Sequence, residues 1–445
     1  MDNKKIIQIE DKVPMSLMIP LSIQHMFAMF GASVLVPTLF GINPAIVLFM
    51  NGVGTLLFIL ITKGKAPAYL GSSFAFIAPA LLVMGKFGGG LDGYAYALGG
   101  FVVVGAVGCV LALIVWKCGT KWIDVVLPPA AMGPVVALIG LELAATAANT
   151  GGLLPVTEYV EAGEGLLKEV VTPVNPNNVI IFLVTLAVAV FGSILFRKFL
   201  SVIPILIAIV AGYVTAACLG MVNFEAVQKA SFFSLPNFSA PKFDFQAILI
   251  ILPVILVIAS EHIGHQLVTS KIVGRDLLKD PGLHRSLFAD NFSTMLSGFI
   301  GSVPTTTYGE NIGVMAMTRV YSVRVIGGAA VLSILCSFIG PLSALIQTIP
   351  GAVVGGISFL LYGMIGASGI RILVDSKVNF GKSRNLMLTS VIFVTGLSGV
   401  AINIGDVELK GMVLAAIVGM VLGLLLFLFD KLKITNDRDE ADSIE

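Results

Sequence analysis

Apolar runs long enough to cross a hydrocarbon layer recur from one end of the chain to the other, and this repetition restricts the fold more than any single motif does. A helix needs about 20 apolar residues to span a bilayer core. Runs of that order fall near 15–36, 45–62, 66–85, 94–116, 123–144, 178–196, 200–220, 246–267, 285–301, 303–318, 325–348, 351–370, 385–402 and 409–430. Composition points the same way: 57% of residues are hydrophobic and 12% charged, against about 25% charged in an ordinary soluble domain. That leaves too little polar surface to cover a water-soluble globule. The expected solvent is lipid and the expected fold an all-α, polytopic membrane protein of fourteen transmembrane segments. A net charge of +1 gives no case for a nucleic-acid partner.

Positive charge tests the segment count, because cytoplasmic loops collect Lys and Arg. With the N-terminus inside, 22 of the 27 fall on the inner side, and Lys86, Lys168, Lys229, Lys242 and Lys410 fall outside. Adding or dropping one span inverts every later loop and destroys the asymmetry, so both termini are expected to be cytoplasmic. The start MDNKKIIQIEDK, followed by a long apolar stretch without a clear cleavage site, argues against a removable leader. Two long polar connections, near 146–177 and 221–245, lie outside; the first carries Glu158, Glu161, Glu164 and Glu169 and reads as a solvated loop. The second divides the spans seven plus seven. An odd number per half reverses the second half, which is the arithmetic of an inverted repeat. Cys109, Cys118, Cys218 and Cys336 lack metal-ligand spacing and read as reduced, small apolar packers. No metal site is expected.

The third and tenth spans look broken. Residues 66–71 and 303–308 each form an extended-looking stretch with proline, glycine or hydroxyl residues, followed by about ten residues of helical pattern. Ten residues rise about 15 Å, half a bilayer core. Irregular backbone at that depth is tolerated only where protein or a water-filled cavity satisfies it. The half-helices should begin near the midplane, around Phe74 and Glu310, so that two helix N-termini face one site.

Ionisable groups inside spans cost about 2.5–3.5 kcal/mol each on insertion scales, so each needs a reason. Glu261 and His265 stand four apart on one helix face, close enough to hydrogen-bond and to hold or pass a proton, or to form a plain ion pair. His262, turned away, reads as packing or structural. Glu310 begins the second half-helix, where it can accept hydrogen bonds from a ligand or simply cap. Gly309 beside it leaves the backbone N–H approachable. Ser73 and Phe74 hold the matching place, with capping and packing as the plain alternatives. Gln24 and His25 form a polar pair read as structural support for the broken helices. Asp290, Asn291 and Glu142 lie close enough to span ends for a bland role. Two acceptor carboxylates, two sets of backbone donors and an aromatic lining suit a small planar ligand with ring N–H and C=O groups; uracil has two of each.

Glu310-Asn311-Ile312-Gly313 followed by Thr318-Arg319 resembles the signature of the nucleobase–ascorbate transporter family, and Gln24-His25 resembles that family's first-span pair. The stretches SEHIGH, DPGLHRSLFADN, TTTYGENIGVMAMTRVYS and LLYGMIGASGIR resemble its uracil-carrying members, and the resemblance covers residues from about 10 to 430. It implies two inverted seven-span repeats, proton symport with the proton as sole coupling agent and no cofactor, and a homodimer in the cytoplasmic membrane. It also implies a core domain (spans 1–4 and 8–11) working against a gate domain (spans 5–7 and 12–14). On this sequence the divisions fall at an N-terminal tail 1–13, core 14–122, gate 123–220, connection 221–245, core 246–324 with the eleventh span at 325–348, gate 351–430 and tail 431–445. Carried over, Glu261 and Glu310 bind uracil, Phe74 and Gly309 give backbone groups, and Tyr308 and Tyr362 line the pocket. His265 is then tied to Glu261 and to proton coupling. Purine-carrying relatives usually have Gln where Glu310 stands, which favours a pyrimidine. Asp290 departs from the neutral polar residue expected there.

Other readings remain in view. A carrier of xanthine or another nucleobase shares most of these features. An anion exchanger of the same fold is disfavoured by the short segment after the last span. A membrane-embedded enzyme is disfavoured because no nucleophile–base pair or phosphate-binding loop accompanies Glu261 and His265, and a channel fits midplane broken helices less well.

Overall fold

The computed structural model describes residues 6–119, 121–161, 167–197, 200–404 and 407–435. Lys4, Lys5, Glu164, Lys198 and Arg438, used in the charge and loop readings, lie outside the described residues, as do parts of both tails. The chain is predominantly helical. Among the described residues eight helices are long and apolar enough to cross a membrane, from Met15–Phe40 to Gly411–Lys431. Shorter apolar helices cover Phe74–Lys86, Pro204–Cys218 and Val323–Ser337. Several starts are written locally as a capping Asn before a first-turn proline. Asn43 Oδ1 accepts from Ala45 N (2.9 Å) ahead of Pro44–Ile61, and Asn175 Oδ1 accepts from Asn177 N (3.0 Å) ahead of Pro176–Leu195.

The helices pack in two groups. In one, Gly90–Cys118 lies along Leu283–Ile300, Pro44–Ile61 lies along Val323–Ser337, and Met15–Ala28 rests on Val323–Ser337. In the other, Gly351–Asp375 joins Pro129–Glu142 and Pro176–Leu195, while Ser383–Leu397 pairs with Gly411–Lys431. Lipid gives little hydrophobic drive between helices, so close approach at small residues must hold them. A Cβ on Gly105 would stand 2.4 Å from Met295 N, and one on Gly369 would stand 2.3 Å from Ala137 N. The groups meet through an apolar cluster that joins Leu35, Phe76 and Ile77 to Val135, Leu361 and Met412. An ion pair of 3.6 Å between Lys86 Nζ and Glu408 Oε2 also crosses between them.

Some local expectations change. The stretch near 146–177 is not plain loop: Val156–Glu161 and Leu167–Thr172 pair as antiparallel strands. The thirteenth apolar run stops being helix at Leu397, and after Gly399 (φ +74°) Ala401–Ile404 turns into a strand paired with Val407–Lys410. Glu142 keeps the bland role expected of it: half-buried, its Oε2 accepts from Met412 N (2.9 Å) at the start of Gly411–Lys431. Cys118 and Cys218 are exposed instead of packed, and all four cysteines are free.

Residues ahead of the first helix strap one face of the first group. Ile7 N donates to Arg319 O (3.0 Å), and Tyr321 N donates to Ile7 O (2.8 Å). Arg275 grips Glu10 with two bonds of 2.5 and 2.9 Å, which holds the Glu10 carboxyl below the usual range.

Candidate functional site

The two broken segments meet. Leu70–Ser72 and Thr305–Thr307 pair antiparallel, Leu70 opposite Thr307 and Ser72 opposite Thr305. Antiparallel pairing sends the chains out in opposite directions. One continues through Phe74–Phe76 into the half-helix Ile77–Lys86, the other into the half-helix Gly309–Thr318, ten residues each. Extended backbone inside a bundle leaves N–H and C=O groups that must find partners, and here side chains and the facing backbone supply them. Thr55 Oγ1 accepts from Leu70 N (2.9 Å), Thr294 Oγ1 donates to Thr305 O (2.7 Å), and Ser73 N donates to Pro304 O (2.9 Å). Tyr308 OH donates to Ser72 O (2.9 Å). Gly71 makes this possible, since a Cβ there would stand 2.8 Å from the Tyr308 ring.

The half-helix starts bring the candidate residues together. Phe74 lies 6.1 Å from the Tyr308 ring and 6.2 Å from the Tyr362 ring, centroid to centroid. Glu261 is within electrostatic reach of Glu310, and Tyr308 is within reach of Glu261, Glu310 and Tyr362. Gly309 is exposed, while Phe74, Glu261, His265 and Glu310 are half-buried. A Cβ on Gly309 would stand 3.3 Å from His265 Nε2, so that imidazole edge borders the second helix start. The result is a recess with two carboxylates, three aromatic rings and a helix N-terminus with open N–H groups. The second half-helix packs on Val254–Val273 and Met15–Ala28 and leaves Ala316 and Met317 exposed.

Several assignments shift. Glu261 and His265 do not hydrogen-bond to each other; His265 Nδ1 turns to Thr307 Oγ1 (3.2 Å) because the strand end lies closer to the imidazole than the carboxylate does. Ser73 makes no side-chain cap, and its hydroxyl is buried without a partner. His25 lies beside Asn311 of the second half-helix, but neither its ring nitrogens nor the Asn311 amide reaches hydrogen-bond geometry. Gln24 is buried next to it. Asp290 is not near water: it is 0% exposed, and its Oδ1 accepts from Thr307 N (2.8 Å) and lies 3.5 Å from His262 Nδ1. His262 is buried in the same network, 3.2 Å from Thr307 Oγ1 and 2.9 Å from Ser286 Oγ. Thr307 and Ser286 were not singled out from sequence. The hydroxyl run Thr305-Thr306-Thr307 at a break in a span was the available signal, since such side chains commonly satisfy irregular backbone.

The fold is shared with solved transporters of low sequence similarity. The transmembrane domain of the cyanobacterial bicarbonate transporter BicA superposes with a TM-score of 0.61 at 14% identity, over 94% of this chain and 100% of that one. Murine Slc26a9, an anion transporter, gives 0.71 at 10% identity over 95% of this chain and 69% of that one. These likenesses speak to fold alone. The Permease family model (Xan_ur_permease) matches residues 16–405. The chain belongs to this permease family. It is a transporter, not an enzyme. Among its permease relatives, the uracil permease of Escherichia coli K12 is 54% identical over 99% of both chains. That of Paenibacillus larvae is 52% identical over 97% of this chain and 99% of its own, and that of Bacillus subtilis 47% over 91% of both.

Proposed function

We propose that this permease imports uracil with a proton across the cytoplasmic membrane. The observation that carries the reading is the convergence of Glu261 and Glu310 on one recess beside the start of the second half-helix. Ring N–H groups of uracil donate to the two carboxylates. Its carbonyls accept from backbone N–H groups at Gly309 and Phe74, and the ring packs among Phe74, Tyr308 and Tyr362. The names of the similar permeases support the substrate. In a poorly hydrated recess two carboxylates repel each other and are costly to carry across. A proton taken up with uracil removes one of those charges, and His265 holds or passes it.

The remaining elements of the reading concern architecture. Fourteen spans form two inverted seven-span repeats, both termini are cytoplasmic, and two copies associate through their gate domains. The core domain (14–122 and 246–348) moves against the gate domain (123–220 and 351–430) in alternating access. The two packing groups support that division, and the similar construction of the two breaks supports the repeat. The apolar cluster between the groups closes one side of the site while the second half-helix stays uncovered on the other. The conformation we propose is therefore open to the cytoplasm.

The test is uptake of labelled uracil into liposomes holding the purified protein, with and without an inward proton gradient and a protonophore. Unlabelled uracil, 5-substituted uracils and xanthine serve as competitors. Gradient-dependent uptake blocked by uracil and not by xanthine supports the reading. Preferential competition by xanthine would replace uracil with a purine, and indifference to the gradient would remove the symport.

A further inference from the structure

Behind the recess lies a chain of polar groups that substrate binding does not need. His265 Nδ1 and His262 Nδ1 both lie 3.2 Å from one atom, Thr307 Oγ1. A hydroxyl has a single hydrogen, so it cannot donate to both rings at once. Beyond His262, Asp290 is 0% exposed; its Oδ1 is occupied by Thr307 N, and its Oδ2 is buried with no partner. A carboxylate so placed is under-satisfied, and unpaired buried charge is costly. Among the described residues no lysine or arginine is within ion-pair distance of it; its cationic partner can only be His262, 3.5 Å away.

The groups on the far side of His262 set its orientation. Ser286 Oγ donates to Leu283 O (3.1 Å), which leaves its oxygen to accept from His262 Nε2–H (2.9 Å). Neutral His262 then presents a bare Nδ1, to which Thr307 O–H donates, and Thr307 oxygen accepts from His265 Nδ1–H. In that arrangement His265 turns an unprotonated Nε2 toward Gly309 and the recess. The titratable groups facing this chain are Glu261 on the same helix, Glu310 and Tyr308 from the second broken span, and Cys109 from Gly90–Cys118.

We propose that Thr307 relays the transported proton from His265 to a storage site formed by His262 and Asp290. A proton from the recess bonds to His265 Nε2. The Nδ1 proton of His265 moves to Thr307 Oγ as the original hydroxyl proton moves to His262 Nδ1. One proton enters at Nε2 and one arrives at His262; Thr307 ends as a neutral hydroxyl, now donating to His265 Nδ1. His262 becomes an imidazolium, its Nδ1–H faces the Asp290 carboxylate, and the buried pair is electrically neutral. His265 ends as the other neutral tautomer and presents a donor to the recess. Release toward the cytoplasm runs the steps in reverse. Thr307 passes the proton and Asp290 stabilises it on His262; neither touches substrate, and both act on it only through His265.

The inference rests on the reading of the site as proton-coupled, and its test separates the two. Wild type, Thr307→Val, Thr307→Ser and Asp290→Asn are reconstituted and assayed for uracil counterflow, which needs no gradient, and for accumulation under a gradient of one pH unit. With one proton per substrate such a gradient supports about tenfold accumulation. Thr307→Val, nearly isosteric but without a hydroxyl, should keep counterflow and lose accumulation to about onefold, and Thr307→Ser should restore it. Asp290→Asn keeps an oxygen for Thr307 N but should displace the pH profile of accumulation. Uracil binding by each variant in detergent reports that it is folded. Gradient-driven accumulation unchanged in Thr307→Val overturns the relay, as does a loss in Thr307→Val that Thr307→Ser fails to rescue. Absence of gradient-driven accumulation in the wild type would instead overturn the symport reading itself.

Discussion

Replacing Gly309 with alanine should weaken uracil binding while leaving the fold intact, because one methyl group lands where the ligand must approach. Gly309 opens the second half-helix and is not in a left-handed conformation, so alanine can take its backbone without strain. Where that holds, Gly→Ala stabilises a protein by about 0.4–1 kcal/mol through the unfolded chain. The new Cβ stands 3.3 Å from His265 Nε2, tighter than ordinary contact. It therefore narrows the gap between the imidazole and the helix N–H groups. Overfilling a packed site by a methyl group costs about 1–3 kcal/mol, and here that cost falls on the bound state. The dissociation constant for uracil should rise by about 5–150-fold. Calorimetric titration of uracil into detergent-purified protein gives the affinity, and thermal unfolding of the same sample gives the stability. An unchanged affinity would refute the placement of Gly309 at the ligand, and a collapsed melting temperature would refute the reading that alanine takes this backbone without strain.

Other substitutions probe other parts of the account. Glu310→Gln exchanges a charged acceptor for a neutral amide, and a hydrogen bond to a charged group is worth about 1.5–3 kcal/mol, so uracil affinity should fall by about 10–150-fold in the same titration. Glu261→Gln should abolish pH-driven uptake in liposomes; full retention would show that its carboxyl takes no part in coupling. Gly140→Ala places a Cβ 2.0 Å from the Tyr362 carbonyl oxygen, which neither backbone can avoid, and should lower the melting temperature by an amount matching about 1–3 kcal/mol or more, whereas Gly363→Ala, with nothing within 4 Å of its Cβ, should not. The Glu10 carboxyl is held low by Arg275, so the strap's stabilisation is present at neutral pH and lost as pH falls through that lowered value; the pair is exposed and worth at most about 1 kcal/mol. Amide exchange at Ile7 and Tyr321, corrected for intrinsic rates, should speed up in acid and do so less in Arg275→Ala.

The breaks at residues 66–71 and 303–308 were legible because proline, glycine and hydroxyl residues interrupt otherwise apolar runs, and lipid does not tolerate that without cause. Glu261, Glu310, Phe74, Gly309, Tyr308 and Tyr362 gather around those breaks. What sequence could not give was rotamer-level pairing. Helical spacing puts Glu261 and His265 on one face, but a strand end from forty residues away supplies Thr307 and draws the imidazole off. Asp290 was misplaced for a related reason. Distance along a helix from its end measures depth, whereas burial depends on what packs beside it, and the strand end at Thr307 helps to bury this carboxylate completely. The end of the helix Ser383–Leu397 was missed because its apolar residues continue into a strand past Gly399.

Uracil and proton movement can be read in a single experiment. Liposomes holding the protein and a trapped pH dye, with no proton gradient imposed, receive uracil outside while a potassium ionophore holds the membrane potential near zero. If the recess carries uracil and a proton together, the lumen acidifies on uracil addition in the wild type, and the signal is lost in Glu310→Gln at uracil concentrations below its weakened affinity. Labelled uracil entering at the wild-type rate with no change in lumenal pH would contradict coupled transport at this site.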